Sequence, residues 1–505
     1  MHLEVIILAN AYIIVVIGIL FAKAAGFLRD SILGSHLGTS AQADIYFQVF
    51  GIASLAFTAV GVALSTLVIK NINKTKYSSE KTQRAYASYF MRRVSLCVIA
   101  ITALMYIFAR PFSSFLLPGV DEEGLDLAVK LMYIMLPSFL FITVAYMMSG
   151  LLQNKRVFFV TAIMSLPFNI LSIATLLSGI DDVISISVIT TIGWFLHIVI
   201  MLPSFYLKGY RFFVRGSIEK ESDLKSILET FYIFISGMMF QLCFIIDKMC
   251  VSGEEGMVAT VTYASNLFVT FSGVFVVAMS SVVFPAISQN YEHGEMKYVR
   301  ELIGYIIKIL MSVFAFYLIA VVFFGEDLIA LLYERENFTH GSTVAVAQAF
   351  VIYSFGIFGY LAQNILNKVL YIAGRYKMTV IGTIVTVLLK IAIDFFVVPR
   401  LGENAAAVST TVLLTLYAVF VALELKRVIG SYVDKDLLYT LAKIALSAFL
   451  CVLGAMLAQR FFPDAFMPEK LAFIPKALIA LLVYAAAMWR SGVIKDLLAT
   501  PLSKK

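Results

Sequence analysis

The chain has 505 residues, of which 61% are hydrophobic and only 14% are charged, and its formal net charge is +7. The mean hydropathy of +0.92 is far above what a soluble globular protein needs to fill its core, so the composition excludes that class. The sequence therefore predicts an all-α polytopic membrane protein.

Apolar segments of about 20 residues, the length that crosses roughly 30 Å of hydrocarbon, recur along the whole chain and predict about fourteen transmembrane helices. The first segment lacks a basic n-region and an A-x-A-like cleavage site, so we expect a retained helix rather than a signal peptide. The predicted spans, numbered 1 to 14, are 5–33, 43–69, 88–110, 126–151, 157–179, 183–207, 225–250, 257–286, 301–324, 344–372, 377–399, 404–425, 437–459 and 470–489.

Basic and acidic connections alternate between these spans. The connection KNINKTKYSSEKTQRAYASYFMRR after span 2 is strongly basic, and the connections after spans 4, 6, 10 and 12 are also net basic. The connections after spans 3, 5, 7 and 9 read PGVDEEGLD, SGIDDV, SGEEG and GEDLIALLYEREN, each with more acid than base. Because Lys and Arg stay on the cytoplasmic side, both termini are predicted in the cytoplasm. The positive charge therefore reflects topology and requires no nucleic-acid partner.

An internal repeat links the two halves of the chain. The segment GLLQNKRVFFVTAIMSLPFNILSI can be laid on VLYIAGRYKMTVIGTIVTVLLKIAI, which places Arg156 opposite Arg375, six spans later. This repeat predicts two six-helix lobes related by a pseudo-two-fold axis, with a substrate site between them. The predicted domains are an N-lobe (1–215), a C-lobe (216–430) and two further helices with a short cytoplasmic tail (431–505).

Several charged side chains lie within the apolar spans, where each costs about 2.5 to 3.5 kcal/mol unless it faces a bundle interior or a watery cavity. Those near span ends can snorkel to the headgroups or cap a helix, and Lys390 and Asp394, four residues apart, can pair on one helix face. The set consists of Lys23, Arg29, Asp30, Asp44, Glu229, Asp247, Lys248, Lys308, Lys368, Lys390, Asp394 and Lys443.

Two of these lysines, Lys23 and Lys368, lie in segments rich in small or polar residues, and we interpret them as functional. Lys23 and Asp30 are seven residues apart and share a helix face. The Ala and Gly residues between them allow another helix to approach closely. Span 1 is therefore predicted to form the wall of a cavity at its cytoplasmic or central mouth.

The four cysteines all lie inside apolar segments, where a thiol acts as a small hydrophobic side chain. They are Cys97, Cys243, Cys250 and Cys451. None has the His or Asp neighbours of a metal site, so we expect no disulfide, no metal and no cofactor.

The segment FAKAAGFLRDSILGSHLGTSAQADIYFQVF resembles the helix 1 to helix 2 signature of the lipid II flippases, the MurJ/MviN family, with its G-F-x-R-D stretch. Two later segments, QLCFIIDKMCVSGEEGMVATVTYASNLFVTFSGVFVVAMSSVVFPAIS and LIALLYERENFTHGSTVAVAQAFVIYSFGIFGYLAQNILNKVLYIAGRYK, are similar to the family's helices 7–8 and 9–11. The resemblance extends over residues 10–430, in the right order and spacing.

The resemblance implies a fourteen-helix, two-lobed exporter fold whose cationic central cavity takes the pyrophosphate and sugar headgroup of a polyprenyl-linked precursor. The last two helices would form a groove for the lipid tail. It implies substrate-binding roles for Lys23, Arg29, Asp30, Asp44, Asn266 and Lys368, with the two aspartates orienting Lys23 and Arg29. The expected partners are this lipid-linked glycan and membrane lipids, in a bacterial cytoplasmic membrane.

The chain departs from the family pattern at cationic positions. Ala56 and Phe57 stand where well-known lipid II transporters carry an Arg pair, and Asn266 stands where a basic residue is usual. A dianionic pyrophosphate in a low-dielectric cavity needs compensating charge. Either other lysines supply this charge, namely Lys308, Lys368, Lys390 and Lys443, or the sugar contacts polar residues such as Asn266, Gln363 and Asn364.

Three other functions are alternatives to lipid II transport: export of another lipid-linked glycan such as a capsule or O-antigen unit, drug or cation antiport, and a non-transporting scaffold. A membrane enzyme is disfavoured, because no connection carries a catalytic motif. No P-loop occurs, so ATP is not expected to drive transport. The membrane potential contributes about 2.3 kcal/mol per charge per 100 mV, and the sequence does not identify a coupling ion.

Overall fold

The computed structural model describes residues 2–55, 79–213, 235–401, 404–461 and 468–498, with a few isolated positions between these ranges. Throughout the described ranges, all regular secondary structure is helical, which confirms the predicted all-α fold. Ala56, Phe57, Glu229 and the basic positions Lys70, Lys74 and Lys76 lie outside the described residues.

Where the chain is described without a gap, short connections join consecutive helices. Those of the first half are α1 (His2–Leu37), α2 (Ala41–Leu55), α3 (Glu80–Ile107), α4 (Ala109–Leu116), α5 (Glu122–Met135), α6 (Ser138–Asn154), α7 (Phe159–Ala162), α8 (Leu166–Leu177) and α9 (Val183–Leu207). Those of the second half are α10 (Met239–Cys250), α11 (Met257–Glu292), α12 (Met296–Tyr333), α13 (His340–Ser354), α14 (Ile357–Leu361), α15 (Asn367–Ile372), α16 (Tyr376–Leu401), α17 (Asn404–Ile429), α18 (Lys435–Phe461), α19 (Phe473–Arg490) and α20 (Val493–Leu498).

Within the described ranges, nine helical segments are long and apolar enough to cross a membrane, or ten if the bent pair at 340–372 forms one span. The helices α1, α2, α10 and α11 coincide with predicted spans 1, 2, 7 and 8, whose residues or side chains are only partly described. The total of about fourteen therefore stays a prediction.

Helices α16 to α19 begin and end within a few residues of predicted spans 11 to 14. Two other helices extend into segments that the sequence assigned to connections. Helix α3 begins at Glu80 because the Ser79 hydroxyl caps it by accepting a hydrogen bond from the Thr82 backbone N–H (3.2 Å). Helix α12 continues to Tyr333, since Ile329 and Tyr333, four residues apart, present one buried face.

Predicted span 10 is broken rather than straight. Its two parts, His340–Ser354 and Ile357–Ile372, meet at an angle of 54°, and the second contains a π-helical turn at Ala362–Leu366. A Cβ atom on Gly359 would collide with the Leu414 backbone of α17, so the bend depends on a glycine that allows close helix approach. Lys368 is the second residue of α15, two positions after the end of the π-helical turn.

The two turns of the internal repeat have the same local geometry. The Val157 N–H donates to Leu152 O (2.9 Å), and the Arg375 N–H donates to Leu370 O (2.8 Å). Arg156 and Gly374 are the residues with positive φ, at 59° and 72°. Arg156 therefore corresponds to Gly374, so the sequence alignment that placed it opposite Arg375 is shifted by one residue.

The chain forms two compact units. The first contains Met1–Ala259 with Arg335–Phe338, and the second contains Thr260–Glu334 with Thr339–Lys505. The core of the first unit includes Met148 and Phe205, and that of the second includes Cys451 and Tyr484. The division into lobes at 215 and 430 stays a prediction.

Candidate functional site

Arg29 and Asp30 form an ion pair near the end of α1. The guanidinium donates to Asp30 Oδ1 from Nε (3.0 Å) and from Nη2 (2.6 Å). Its Nη1 donates to Asn169 Oδ1 on α8 (3.0 Å), and the group lies 4.7 Å from the centroid of the Phe168 ring. The side chains of Arg29 and Asp30 are 16% and 28% exposed, so the pair remains accessible.

Asn169 connects this ion pair to the backbone of α1. Its Nδ2 donates to Ala22 O (3.1 Å), while its Oδ1 accepts from Arg29. A Cβ atom on Gly26 would lie 3.4 Å from that Nδ2, which shows how closely α8 approaches α1. The predicted small-residue contact thus exists, and its partner is a buried amide. Sequence reasoning missed Asn169, although an Asn within the apolar segment SLPFNILSI was a detectable signal.

Lys23 lies on the same helix, next to Ala22 and seven residues before Asp30. Its side chain is exposed. A helix repeats its face after seven residues, so Lys23 and Asp30 occupy the same side of α1. Both predicted cations of this segment, Lys23 and Arg29, thus keep some exposed surface.

Asp44 has a structural partner that the sequence did not indicate. Its side chain is 4% exposed, and its two carboxylate oxygens accept hydrogen bonds from the backbone N–H groups of Gly256 and Ala259, both at 2.7 Å. Gly256 directly precedes α11, and Ala259 lies in its first turn. Asp44 therefore caps that helix rather than orienting Arg29.

A cavity of about 630 Å³ adjoins this cap in the first unit. Its lining includes Asp44, Asp121, Glu123 and Glu255, and the described lining residues include no Lys or Arg. Negative charge without a cation repels a phosphate group. This cavity is thus unsuited to a pyrophosphate. Its acidic lining does not support the predicted role of Asp44 in binding the substrate.

The other two predicted contacts lie in the second unit. Asn266 is exposed on α11, and Lys368 is half-buried on α15. Gln363, in the π-helical turn, is buried, and Asn364 donates to Tyr360 O (2.8 Å). Lys23 and Arg29 belong to the first unit, and Asn266 and Lys368 belong to the second.

Three of the lysines considered as replacement cations are paired with aspartates. Lys308 pairs with Asp436, Lys390 pairs with Asp394, and Lys443 lies 3.7 Å from Asp496. The predicted pairing of Lys390 with Asp394 is confirmed. Lys368, the fourth of these lysines, is half-buried on α15.

Asp247 and Lys248 are buried instead of reaching towards the headgroups. Asp247 is 0% exposed and Lys248 is 7% exposed. The Lys248 ammonium donates to Phe47 O on α2 (3.4 Å). These two residues therefore belong to the interior of the first unit, and the snorkelling interpretation is wrong for Lys248.

Comparison with known proteins then identifies the relatives of this chain. The family model described as "Lipid II flippase MurJ" matches residues 33–475. The chain belongs to the lipid II flippase MurJ family. This assignment confirms the resemblance found in the sequence, and with the apolar helices it makes the chain a multi-pass membrane protein.

Curated relatives and solved structures agree with the family. The probable lipid II flippase MurJ of Rhizobium tropici is 24% identical over 427 residues, covering 80% of this chain and 78% of that protein. That of Treponema pallidum is 24% identical over 470 residues, covering 89% and 88%.

A lipid II flippase MurJ structure in an inward closed conformation has a TM-score of 0.79 and 22% identity, covering 96% of this chain and all of that one. An inward-facing multidrug resistance MATE family transporter of the MOP superfamily has a TM-score of 0.61 and 16% identity, covering 81% of this chain and 95% of that one. These likenesses show the exporter fold.

Proposed function

We propose that this protein translocates lipid II, a polyprenyl-pyrophosphate-linked cell-wall precursor, across the bacterial cytoplasmic membrane by alternating access. The family match supports the substrate class. The observation that carries the proposal is the accessible guanidinium of Arg29, held by Asp30 and Asn169 on a helix that also presents Lys23.

The geometry of Arg29 suits a phosphate ligand. A guanidinium has five N–H donors, and the contacts with Asp30 and Asn169 use three of them. One N–H group on each terminal nitrogen is left for a ligand. Hydrogen bonds from Arg to phosphate oxygens are charge-assisted and roughly twice as strong as neutral ones. Arg29 therefore binds the pyrophosphate, and Asp30 and Asn169 fix its orientation.

Each unit has its own proposed contacts with the substrate. In the first unit, Lys23 supplies a second cation on the same helix as Arg29, and in the second unit Lys368 supplies a cation. Asn266 contacts the sugars of the headgroup. Asp44 supports the site from a distance through its helix cap.

The protein acts as a transporter rather than as an enzyme. Transport uses no ATP, and the membrane potential assists the movement of an anionic lipid by about 2.3 kcal/mol per elementary charge per 100 mV. A coupled ion would add to this driving force.

Both termini lie in the cytoplasm according to the alternation of basic and acidic connections. Reporter fusions after Glu80 and Glu122 should then report opposite sides of the membrane. If both fusions report the same side, this topology is wrong.

Complementation tests the substrate directly. The protein is expressed in a bacterium depleted of its own lipid II flippase, and we expect growth to be restored. The matched control is Arg29→Ala, expressed and inserted at the same level, which should not restore growth.

One observation favours a second candidate, a flippase for another lipid-linked oligosaccharide. Ala56, Phe57 and Asn266 replace three cations that are usual in lipid II transporters. If the protein fails to replace the lipid II flippase but restores a missing capsule or O-antigen flippase, the second candidate is correct.

A further inference from the structure

Two buried aromatic rings support the guanidinium of Arg29 in the first unit. The guanidinium carbon lies 4.7 Å from the centroid of the Phe168 ring on α8. That ring is stacked on the indole of Trp194 on α9, with the centroids 5.2 Å apart and the planes inclined by 23°. Phe168 and Trp194 are each 4% exposed. The partly exposed cation therefore contacts a buried aromatic pair.

A glycine in α9 makes room for this pair. A Cβ atom on Gly193 would lie only 2.0 Å from Cδ2 of Phe168, so any other residue would displace the ring. Gly193 lies in the interior of α9, where glycine weakens a helix relative to alanine. The position of the Phe168 ring thus depends on the absence of a side chain at one point of the neighbouring helix.

The aromatic character of residue 168 matters because of the charge beside it. The face of an aromatic ring carries a negative quadrupole that attracts a guanidinium, and the two planar groups stack. An aliphatic side chain would exclude water from one side of the Arg29 cation without this attraction. Asp30 and Asn169 accept hydrogen bonds from the edge of the same guanidinium. The ring therefore fixes the plane of the group, and the two polar side chains fix its rotation within that plane.

Ordinary core packing is the alternative explanation of the aromatic pair. Phenylalanine and tryptophan fill protein interiors without any connection to a ligand. An aliphatic residue at position 168 would then affect stability alone. The contact with a cation that has two N–H groups left for a ligand, together with the glycine that admits the ring, favours a role in positioning that cation.

We propose that Phe168 is a positioning residue for anion binding by Arg29. Its ring holds the guanidinium plane so that the two remaining N–H groups meet the oxygens of a pyrophosphate, and Gly193 allows the ring to take that place. This inference rests on the proposed function, in which Arg29 binds the pyrophosphate of a lipid-linked precursor. The affinity for a pyrophosphate thus depends on a ring that is almost completely buried.

The test uses farnesyl pyrophosphate, a short polyprenyl pyrophosphate, as the probe. The chain contains two tryptophans, and the second, Trp489 on α19, is 65% exposed. In full-length Trp489→Phe protein purified in detergent, Trp194 is the single indole and reports on the ring beside Arg29. Titration with the probe should change its emission saturably. Neither farnesol, which has no pyrophosphate, nor the Arg29→Ala variant should give this change.

Substitutions of Phe168 separate the aromatic face from simple packing. In the Trp489→Phe background, Phe168→Leu should raise the half-saturating concentration of the probe about tenfold, as expected for loss of a cation–π contact at a partly desolvated site. Phe168→Tyr restores the aromatic face and should stay within about twofold of the reference protein. The matched control is Phe205→Leu, in a fully buried ring of the same unit, which should lower the Tm without changing that concentration.

Gly193→Ala disturbs the same ring from α9 and should also weaken binding of the probe. Because it acts by displacing Phe168, its addition to Phe168→Leu should cause no further loss, so the two effects are not additive. Gly454→Ala in the second unit is the matched control, since a Cβ atom there would lie 3.1 Å from the Val483 side chain. It should leave the half-saturating concentration unchanged.

The outcomes separate this inference from the proposed function. Wild-type affinity in folded Phe168→Leu, alongside loss of binding in Arg29→Ala, would overturn the inference alone, as would additive effects of Phe168→Leu and Gly193→Ala. The expected affinities without lipid II transport would overturn the proposed function alone. Failure of the reference protein to bind the probe would overturn both. If Phe168→Leu and Phe168→Met both fail to fold, the ring serves the core and the inference is wrong.

Discussion

Two charged clusters of similar composition have opposite exposure. Each combines a cation, an aspartate on the same helix and a neutral polar side chain from a neighbouring helix: Arg29, Asp30 and Asn169 in the first unit, and Lys390, Asp394 and Ser409 in the second. The first ion pair is 16% and 28% exposed, and the second is 0% exposed on both sides. The same chemistry can therefore present a charge to a ligand or enclose it permanently.

The two clusters differ in how many N–H donors of the cation are hydrogen-bonded to the protein. In the first cluster two guanidinium N–H groups of Arg29 are left for a ligand, while in the second the three donors of Lys390 all have acceptors. A cation with spare donors suits transient binding. A cation with none to spare suits a structural role.

The largest expected effect concerns stability. Asp394→Asn removes the carboxylate that pairs with the buried Lys390 ammonium and should reduce the free energy of unfolding by about 3 to 5 kcal/mol. Asp30→Asn breaks a partly exposed pair and should cost about 1 kcal/mol or less. Chemical denaturation of both variants in the same detergent measures the difference. Equal losses would remove the distinction between the two clusters.

A smaller effect concerns the amide that positions Arg29. Asn169→Ala removes the acceptor of the Arg29 Nη1 donor and should reduce the rate of lipid transport by about tenfold, as expected for the loss of one hydrogen bond to a charged group. Asn169→Asp keeps an acceptor for Arg29 and should recover part of that rate. Transport by Asn169→Ala at the wild-type rate would show that the amide has no positioning role.

The smallest expected effect on stability concerns an exposed carboxylate, Asp182, which serves as a reference for the two ion pairs. Asp182 caps α9 by accepting from the Ser185 N–H (2.9 Å), and the hydrogen bonds from Ser185 lower the pKa of Asp182. Asp182→Ala should cost about 1 kcal/mol, whereas Asp182→Asn, which retains an acceptor, should cost less.

The pH dependence of this cap follows from the lowered pKa. Its stabilising contribution is complete above the ordinary Asp pKa of about 3.9 and is lost as the pH falls through the lower folded-state pKa. The difference in Tm between the wild type and Asp182→Ala should shrink over that acidic range. A difference that grows on acidification would contradict the assignment.

Much of the fold and part of the site followed from local patterns in the sequence. Apolar length gave the bounds of α16 to α19, and a spacing of four residues gave the pairing of Lys390 with Asp394. The G-F-L-R-D stretch indicated both the family and the Arg29–Asp30 pair.

Contacts between distant segments could not be predicted in this way. Asn169 is 140 residues from Arg29, and Gly256 is 212 residues from Asp44. Helical periodicity specifies which face of a helix is apolar, but it does not specify which other helix that face meets. The cap by Asp44 and the bend that brings Gly359 to α17 therefore emerged only from the structure.

The central claim is that the accessible guanidinium of Arg29 binds the pyrophosphate of a lipid-linked precursor during transport. Its most direct test is the rate at which fluorescent lipid II crosses the bilayer of proteoliposomes that contain the purified protein. We predict transport by the wild type and Asp182→Asn, and loss of most of it in Arg29→Ala protein with an unchanged Tm. Transport by Arg29→Ala at the wild-type rate would contradict it.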